Sequence, residues 1–205
     1  MFFERPMNKN TVDDIIEKFN IKELIEFERF CRDQKLWEKM KECFHKDSFV
    51  KISWFSGSGY EYIDASQRLK SSGKHRMYNT LIWLNSNRAI AESTVSIQSR
   101  NELDGIAVDL ISYLRLHYRV EKRDEVWKVF SVDGIYEKES LVPQYPNSRL
   151  HVPEDKLKGY RASYAYLSLI IDKENLDLNS NLPGEDRPEL ISELYNLSNR
   201  WLEIK

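Results

Sequence analysis

The stretch HRMYNTLIWLNSNRAIAES, residues 75–93, reads as a β-hairpin, and the rest of the chain arranges itself around it. Residues 75–84 and 89–100 are long runs rich in apolar, aromatic and β-branched side chains, and Asn85-Ser86-Asn87-Arg88 between them supplies turn chemistry. Successive side chains on a strand point to opposite faces. His75, Met77, Asn79, Leu81 and Trp83 are therefore expected on one face, with Arg76, Tyr78, Thr80 and Ile82 on the other. Toward the C-terminus the same period continues. Within 109–121, Leu110, Leu114, Leu116 and Tyr118 alternate against Tyr113, Arg115 and His117, and the charged turn 122–125 leads into another strand over 126–136. Such short connections predict an antiparallel meander.

Upstream of the hairpin, Val50, Ile52 and Trp54 alternate with Phe49, Lys51 and Ser53, and Gly57-Ser58-Gly59 turns the chain ahead of Tyr60 and Tyr62. Asp64 is placed to cap a short helix through Leu69. Earlier still the spacing is helical: Val12, Ile15, Ile16 and Phe19, then Ile21, Leu24, Ile25 and Phe27, then Leu36, Trp37 and Met40. Asn20 and Asp33 punctuate these runs and belong to residue types that open helices. After the last strand, Pro143, Pro146 and Pro153 mark a loop over 142–153. Two helices are predicted beyond it, over 156–172 and 188–202; the second opens on Pro188 and carries the stripe Leu190, Leu194, Leu197 and Trp201. The fold class is α+β: N-terminal helices on a strongly curved antiparallel sheet, a cone with a pocket at its open end, and a C-terminal helical extension packed on the domain or on a partner.

With 205 residues, 41% of them hydrophobic and 12% aromatic, the chain can fill one core without disulfide or metal staples. Acidic and basic residues nearly balance, for a formal net charge of −2, and the basic run 119–123 is interrupted by Val120 and Glu121. Neither a nucleic-acid track nor a charged membrane patch follows from that balance. No run of about 18 apolar residues is long enough to span a bilayer. MFFERPMNKN lacks a signal-peptide core, and Cys31 and Cys43 show no CxxC or Cys/His spacing. A reduced, cytoplasmic compartment is the expectation, with both thiols as buried hydrophobes.

Three segments together resemble the SnoaL-like members of the nuclear transport factor 2-like superfamily. They are IKELIEFERFCRDQKLWEKMKECFHKD at 21–47, with one aspartate before a Trp-bearing helix and another after it; HRMYNTLIWLNSNRAIAES at 75–93, with a histidine and an asparagine four apart; and 127–146, ending in GIYEKESLVPQYP. The resemblance implies a cystatin-like cone over 10–146 with a helical extension over 147–205. It also implies a fold that hosts scytalone dehydratase-like and polyketide cyclase-like enzymes, ketosteroid isomerases, dioxygenase subunits and proteins without catalysis. By resemblance to scytalone dehydratase and bile-acid dehydratase, Asp33 and His75 take the places of an Asp–His pair at the pocket floor. The same resemblance implies no cofactor, a small organic molecule in the pocket and pairing into a homodimer. Other family features are replaced. Ser99 and Arg100 stand where scytalone dehydratase has a second histidine, Glu28 where bile-acid dehydratase has a tyrosine, and Asp133 or Gly134 where it has an arginine. No specific substrate is inherited.

An Asp–His pair suits acid/base chemistry. Histidine takes a proton beside a carbonyl or passes one to a leaving hydroxyl, and a carboxylate on its other nitrogen fixes the tautomer and raises its basicity. The competing reading has Asp33 capping the helix that holds Trp37 and His75 in the core or rim. If His75 faces the pocket, alternation places Asn79 there too, to orient a substrate oxygen or satisfy a backbone group. Arg115 shares a face with Tyr113 and His117; it binds an acidic substrate group, pairs with an internal acid or forms a surface ion pair. Trp54, Tyr60, Tyr62 and Tyr113 are candidates for the pocket lining, or ordinary core aromatics. His45-Lys46-Asp47 has the HxD spacing of a non-haem iron site without a third ligand, so Asp47 reads as turn chemistry and no metal is expected. The leading expectation is a cofactor-independent lyase or isomerase. A non-catalytic ligand-binding or protein-interaction domain competes with it, and a dioxygenase accessory subunit would need an iron-carrying partner.

Overall fold

A capping box starts the first helix, α1 (Val12–Gln34): Thr11 Oγ1 accepts the Asp14 N–H, and the Asp14 carboxylate accepts the Thr11 N–H. The computed structural model describes residues 10–69, 73–173 and 176–203. α1 runs unbroken through Asn20, where the sequence predicts a break, because Ile21 and Ile25 just beyond it are fully buried and hold that turn against the sheet. It ends at Lys35 in the left-handed region (φ 60°), whose N–H reaches the carbonyls of Arg32 and Cys31. The next helix, α2 (Trp37–Glu42), has Leu36 at its N-cap and no side-chain cap. Asp33 therefore caps nothing; it sits in the last turn of α1.

Six strands follow in the spatial order β2-β1-β6-β5-β4-β3. They are β1 (Phe44–Ile52), β2 (Phe55–Ser58), β3 (Lys74–Asn85), β4 (Arg88–Leu103), β5 (Ile106–Arg123) and β6 (Val126–Pro143). α3 (Gly59–Arg68), capped by Ser58 and Glu61, links β2 to β3. β3 to β6 form the antiparallel meander, and Asn85 pairs with Arg88 across a two-residue turn with Ser86 at φ 56°. β1 pairs with β6 in parallel, so the sheet is mixed rather than wholly antiparallel. Alternation within a strand does not encode a pairing between strands this far apart in sequence.

The inner face of the sheet carries Val95, Leu114, Leu116, Tyr118, Val120 and Val132, which pack against Ile21 and Ile25 of α1. Both cysteines are free and buried, and burial pushes the Cys43 thiol up to about 12. Part of the chain beyond the meander joins this core. Tyr164 and Leu182 are fully buried in it, and Gly184 forms a parallel bridge with Tyr136. The helix expected over 156–172 is broken in two: α4 (Glu154–Leu157), then a 3-10 turn (Ala162–Tyr164) leading into α5 (Ala165–Lys173). Gly159 between them sits at φ 99°, a left-handed conformation that no right-handed helix accommodates.

α6 (Pro188–Glu203) crosses the outer face of the sheet. Leu194, Tyr195 and Leu202 pack on Ile90 and Ile135, while Asn85 Nδ2 and Arg88 donate to the carbonyls of Leu202 and Trp201 at 2.7 and 2.9 Å, closing the helix C-terminus. Part of the outer sheet face is thus occupied by the chain itself. No helix among the described residues is long and apolar enough to cross a membrane.

Candidate active site

The inner face of the sheet, α1, α3 and α5 line a partly open cavity of about 100 Å³. Its walls are apolar where β5 and α5 supply Leu114, Leu116, Leu167, Ile170 and Ile171. Polar groups enter from α1, β3 and β6: Arg29, Arg32, His75 and Tyr136. Residues beyond 147 supply one whole wall. α5 is held in place by Glu139, whose carboxylate accepts the N–H groups of Tyr166 and Leu167 at 2.7 and 3.0 Å and the Ser112 hydroxyl at 2.8 Å. Burial pushes the Glu139 carboxyl up to about 7 despite these donors.

Asp33 and His75 meet. Asp33 Oδ1 lies 2.7 Å from His75 Nδ1, and Asp33 Oδ2 accepts the His75 backbone N–H at 2.7 Å. The C-terminal turn of α1 brings the carboxylate to the first residues of β3, and Lys74 Nζ donates to the Asp33 carbonyl. The two side chains are 11% and 7% exposed, so the pair is shielded from water. Burial pushes the His75 imidazole below its ordinary value; Arg29 and Arg32 add to this, against the bond to Asp33. Burial acts to raise Asp33, but its hydrogen bonds to His75 outweigh it and hold the carboxyl below its usual range. A neutral imidazole beside an ionised carboxylate is the resulting state at neutral pH. With Nδ1 engaged by Asp33, Nε2 is the ring nitrogen left for chemistry.

Of the other sequence candidates, Trp54 and Tyr62 line the cavity, and their rings pack 5.7 Å apart. Tyr60 packs beside the core without lining it. Asn79 is on the wrong face. A β-bulge between Met77 and Asn79 shifts the register, so His75 pairs with inward Ile97 whereas Asn79 pairs with outward Thr94 and is exposed. Asn79→Ala is accordingly expected to leave ligand affinity and turnover unchanged and stability within about 0.5 kcal/mol, checked by calorimetric titration and a thermal melt.

Arg115 and Tyr113 also lie outside the cavity, because Leu114 and Leu116 alternate with them and point in. Arg115 is held by internal acids on the outer face. It donates to Glu137 at 2.9 Å and Glu185 at 2.7 Å, and to the Tyr195 hydroxyl at 2.6 Å, fastening α6 and its leading loop to the sheet. Lys138 sits over the Tyr113 ring. On the same face, Ser198 Oγ lies 2.9 Å from His117 Nε2 and Glu92 Oε2 lies 3.1 Å from His117 Nδ1, the order of groups in a serine hydrolase. Ser198 and His117 are both wholly buried, and Arg119 also donates to Ser198, so this line is a structural tie for α6. The HxD pair is engaged elsewhere: His45 Nε2 contacts the Glu121 carbonyl at 2.9 Å, and Asp47 takes both arms of Arg123.

Sequence reasoning missed Glu28, Arg29, Arg32 and Tyr136. Glu28 is fully buried, and both its oxygens accept from Arg29, whose guanidinium stands 3.5 Å from the Tyr62 hydroxyl. The Tyr118 hydroxyl lies 3.5 Å from Glu28. Tyr136 accepts the Ser53 N–H at 3.0 Å, leaving its own proton to donate. The signal for the α1 residues was present. Continuing the buried stripe Ile21, Ile25 by helical steps lands on 28, 29 and 32, where the sequence places charges instead of aliphatics.

Comparison with known proteins places the fold. A family model described as the SnoaL-like domain matches residues 17–133. The chain is 30% identical over 201 residues to pea pathogenicity protein 2 of Fusarium vanettenii, covering 92% of this chain and 86% of that one. It is 28% identical over 221 residues to an uncharacterized protein of Emericella nidulans, covering 98% and 93%. Among solved structures, a LinA-type3 hexachlorocyclohexane dehydrochlorinase from Novosphingobium barchaimii superposes with a TM-score of 0.57 at 14% identity, over 70% of this chain and 100% of that one. A putative scytalone dehydratase from Novosphingobium aromaticivorans gives 0.54 at 19% identity, over 69% and 100%. At such identities the structural likeness shows the fold, and the family match extends over more than half of the sequence: this chain belongs to the SnoaL-like family.

Proposed function

We propose that the chain is a cofactor-independent lyase or isomerase acting on a small molecule in the cone, with His75 as acid/base and Asp33 as its orienting carboxylate. The observation that carries this reading is the 2.7 Å contact between Asp33 Oδ1 and His75 Nδ1 at the wall of the cavity. Neutral His75 removes a proton through Nε2 from a carbon next to a carbonyl. The released electron pair forms a carbon–carbon double bond, and a β-hydroxyl departs with its own bonding pair. That hydroxyl takes the proton from the imidazolium, which restores neutral His75, and leaves as water, with the Tyr136 hydroxyl placed to hydrogen-bond substrate oxygen. Without a leaving group, the same base returns the proton to a different carbon, which is isomerisation. Two structural neighbours are named for eliminations, one a dehydratase and one a dehydrochlorinase, which supports the elimination branch.

The test is a panel of cyclic β-hydroxy ketones, followed for loss of water across pH. The base works when neutral, and burial lowers its pKa, so kcat/KM is expected to be flat above neutrality. It should fall only as pH drops through a value below the ordinary histidine figure of about 6.5. Asp33→Asn removes the partner that favours the protonated ring, so the acid limb should move to still lower pH and the plateau should drop about 10²-fold. An acid limb above pH 7, or an Asp33→Asn profile that overlays wild type, contradicts the assignment. Binding without turnover across the panel would favour a non-catalytic binding domain.

A further inference from the structure

The charges inside the cone do not pair off. Two guanidiniums, Arg29 and Arg32, border the cavity. Among the described residues, two carboxylates are within reach of α1's inner face, and both are spent: Glu28 gives both oxygens to Arg29, and Asp33 gives both to His75. Arg32 is left over. It is 6% exposed, and its Nε is buried with no hydrogen-bond partner among the described residues. An Nε–H in that position forfeits its hydration without replacement, a cost the fold would shed by leaving it outside. The Arg32 Cζ lies over the Trp37 ring, 5.9 Å from the centroid, a cation–π contact that leaves its N–H donors for an acceptor. A planar oxyanion meets a guanidinium edge with two parallel bonds.

We propose that Arg32 is the anchor for a carboxylate on the ligand, and that the cavity takes a small, ring-bearing carboxylic acid. The anion rests on Arg32, and the ring fills the apolar wall formed by Leu114, Leu116, Leu167 and Ile170. The volume, about 100 Å³, is smaller than the roughly 150 Å³ of an engineered apolar cavity that accepts benzene, which limits the ligand to a single small ring. His75 borders the same space, so a carboxylate held at Arg32 sets which carbon of the ring faces Nε2. Arg32 is then a positioning and specificity residue. This inference rests on the cavity being the working site proposed above, but it does not require His75 to turn anything over.

Benzoate and its neutral isostere benzamide are the probes, titrated calorimetrically into the full chain. Wild type is expected to bind benzoate roughly tenfold or more tightly than benzamide. Arg32→Gln should abolish that preference, with the two probes binding alike, and Arg32→Lys should restore part of it because the charge returns without the planar fork. His75→Gln should keep the benzoate preference, which separates anion anchoring from acid/base chemistry. Thermal melts of each variant confirm folding before titration. Equal binding of the two probes to wild type, no detectable benzoate binding, or a preference that survives in a folded Arg32→Gln each overturns the proposal. Loss of turnover in His75→Gln with intact benzoate selectivity upholds both readings; intact selectivity without turnover in wild type upholds this one alone.

Discussion

His75→Gln is expected to lower turnover in the cavity by about 10²- to 10⁴-fold, the range a positioned acid/base supplies, while leaving ligand affinity close to wild type. Glutamine is near histidine in size and can still donate an N–H to Asp33, so the carboxylate is not stranded by the change. What disappears is a group that accepts and returns a proton near neutral pH. The effect therefore belongs in kcat, with KM little altered, which is how a group acting only in the transition state reveals itself. A melting temperature within roughly 4 °C of wild type, about what 1 kcal/mol produces in a chain of 205 residues, shows that the fold survives. A kcat change of less than threefold would mark His75 as a rim residue that Asp33 merely ties down.

The second large effect concerns stability. Glu28 and Arg29 are 0% and 5% exposed, and each is the other's counter-charge. Burial acts to lower the Arg29 guanidinium, but the Glu28 carboxylate outweighs it and keeps the group firmly charged. Arg29→Leu leaves a buried carboxylate with only the Tyr118 hydroxyl within 3.5 Å among the described partners, and should cost about 3–5 kcal/mol. The double variant Glu28→Gln, Arg29→Leu should be less damaged than Arg29→Leu alone, because the stranded charge has gone. Urea denaturation of the two single variants and the double gives the coupling directly. Additive losses would show that the pair contributes packing rather than mutual charge compensation.

Much of this site is written locally in the sequence. The helical period before residue 40, the switch to alternation (read at residue 49, although β1 begins at Phe44), and the Asn85-Ser86-Asn87-Arg88 turn mark elements whose signals lie within a few residues of one another. His75 and Asp33 were visible through family order and spacing, and the fold brings them together by joining the end of α1 to the start of β3. Asn79 was misplaced because a bulge is a one-residue event that no hydrophobic pattern announces, yet it reverses every later side chain of the strand. Arg115 looked like a pocket residue between two leucines. Those leucines face inward, and the acids that hold Arg115 come partly from residue 185, a contact only tertiary structure supplies. The parallel partnership of β1 with β6 and the role of α5 as a pocket wall are likewise long-range outcomes. Arg32 was overlooked for the opposite reason: its spacing placed it on the buried stripe, and its charge argued against that placement.

Solvent-deuterium incorporation tests the central claim most directly. A cyclic ketone shown to bind the cavity is incubated in D₂O with wild type or with His75→Gln, and the α-proton signal is followed by NMR. Wild type is predicted to exchange that proton well above the buffer rate, with His75→Gln slower by about 10²-fold or more. Exchange at the same rate in both proteins, or no exchange above buffer for a bound ketone, would contradict the assignment of His75 as the base.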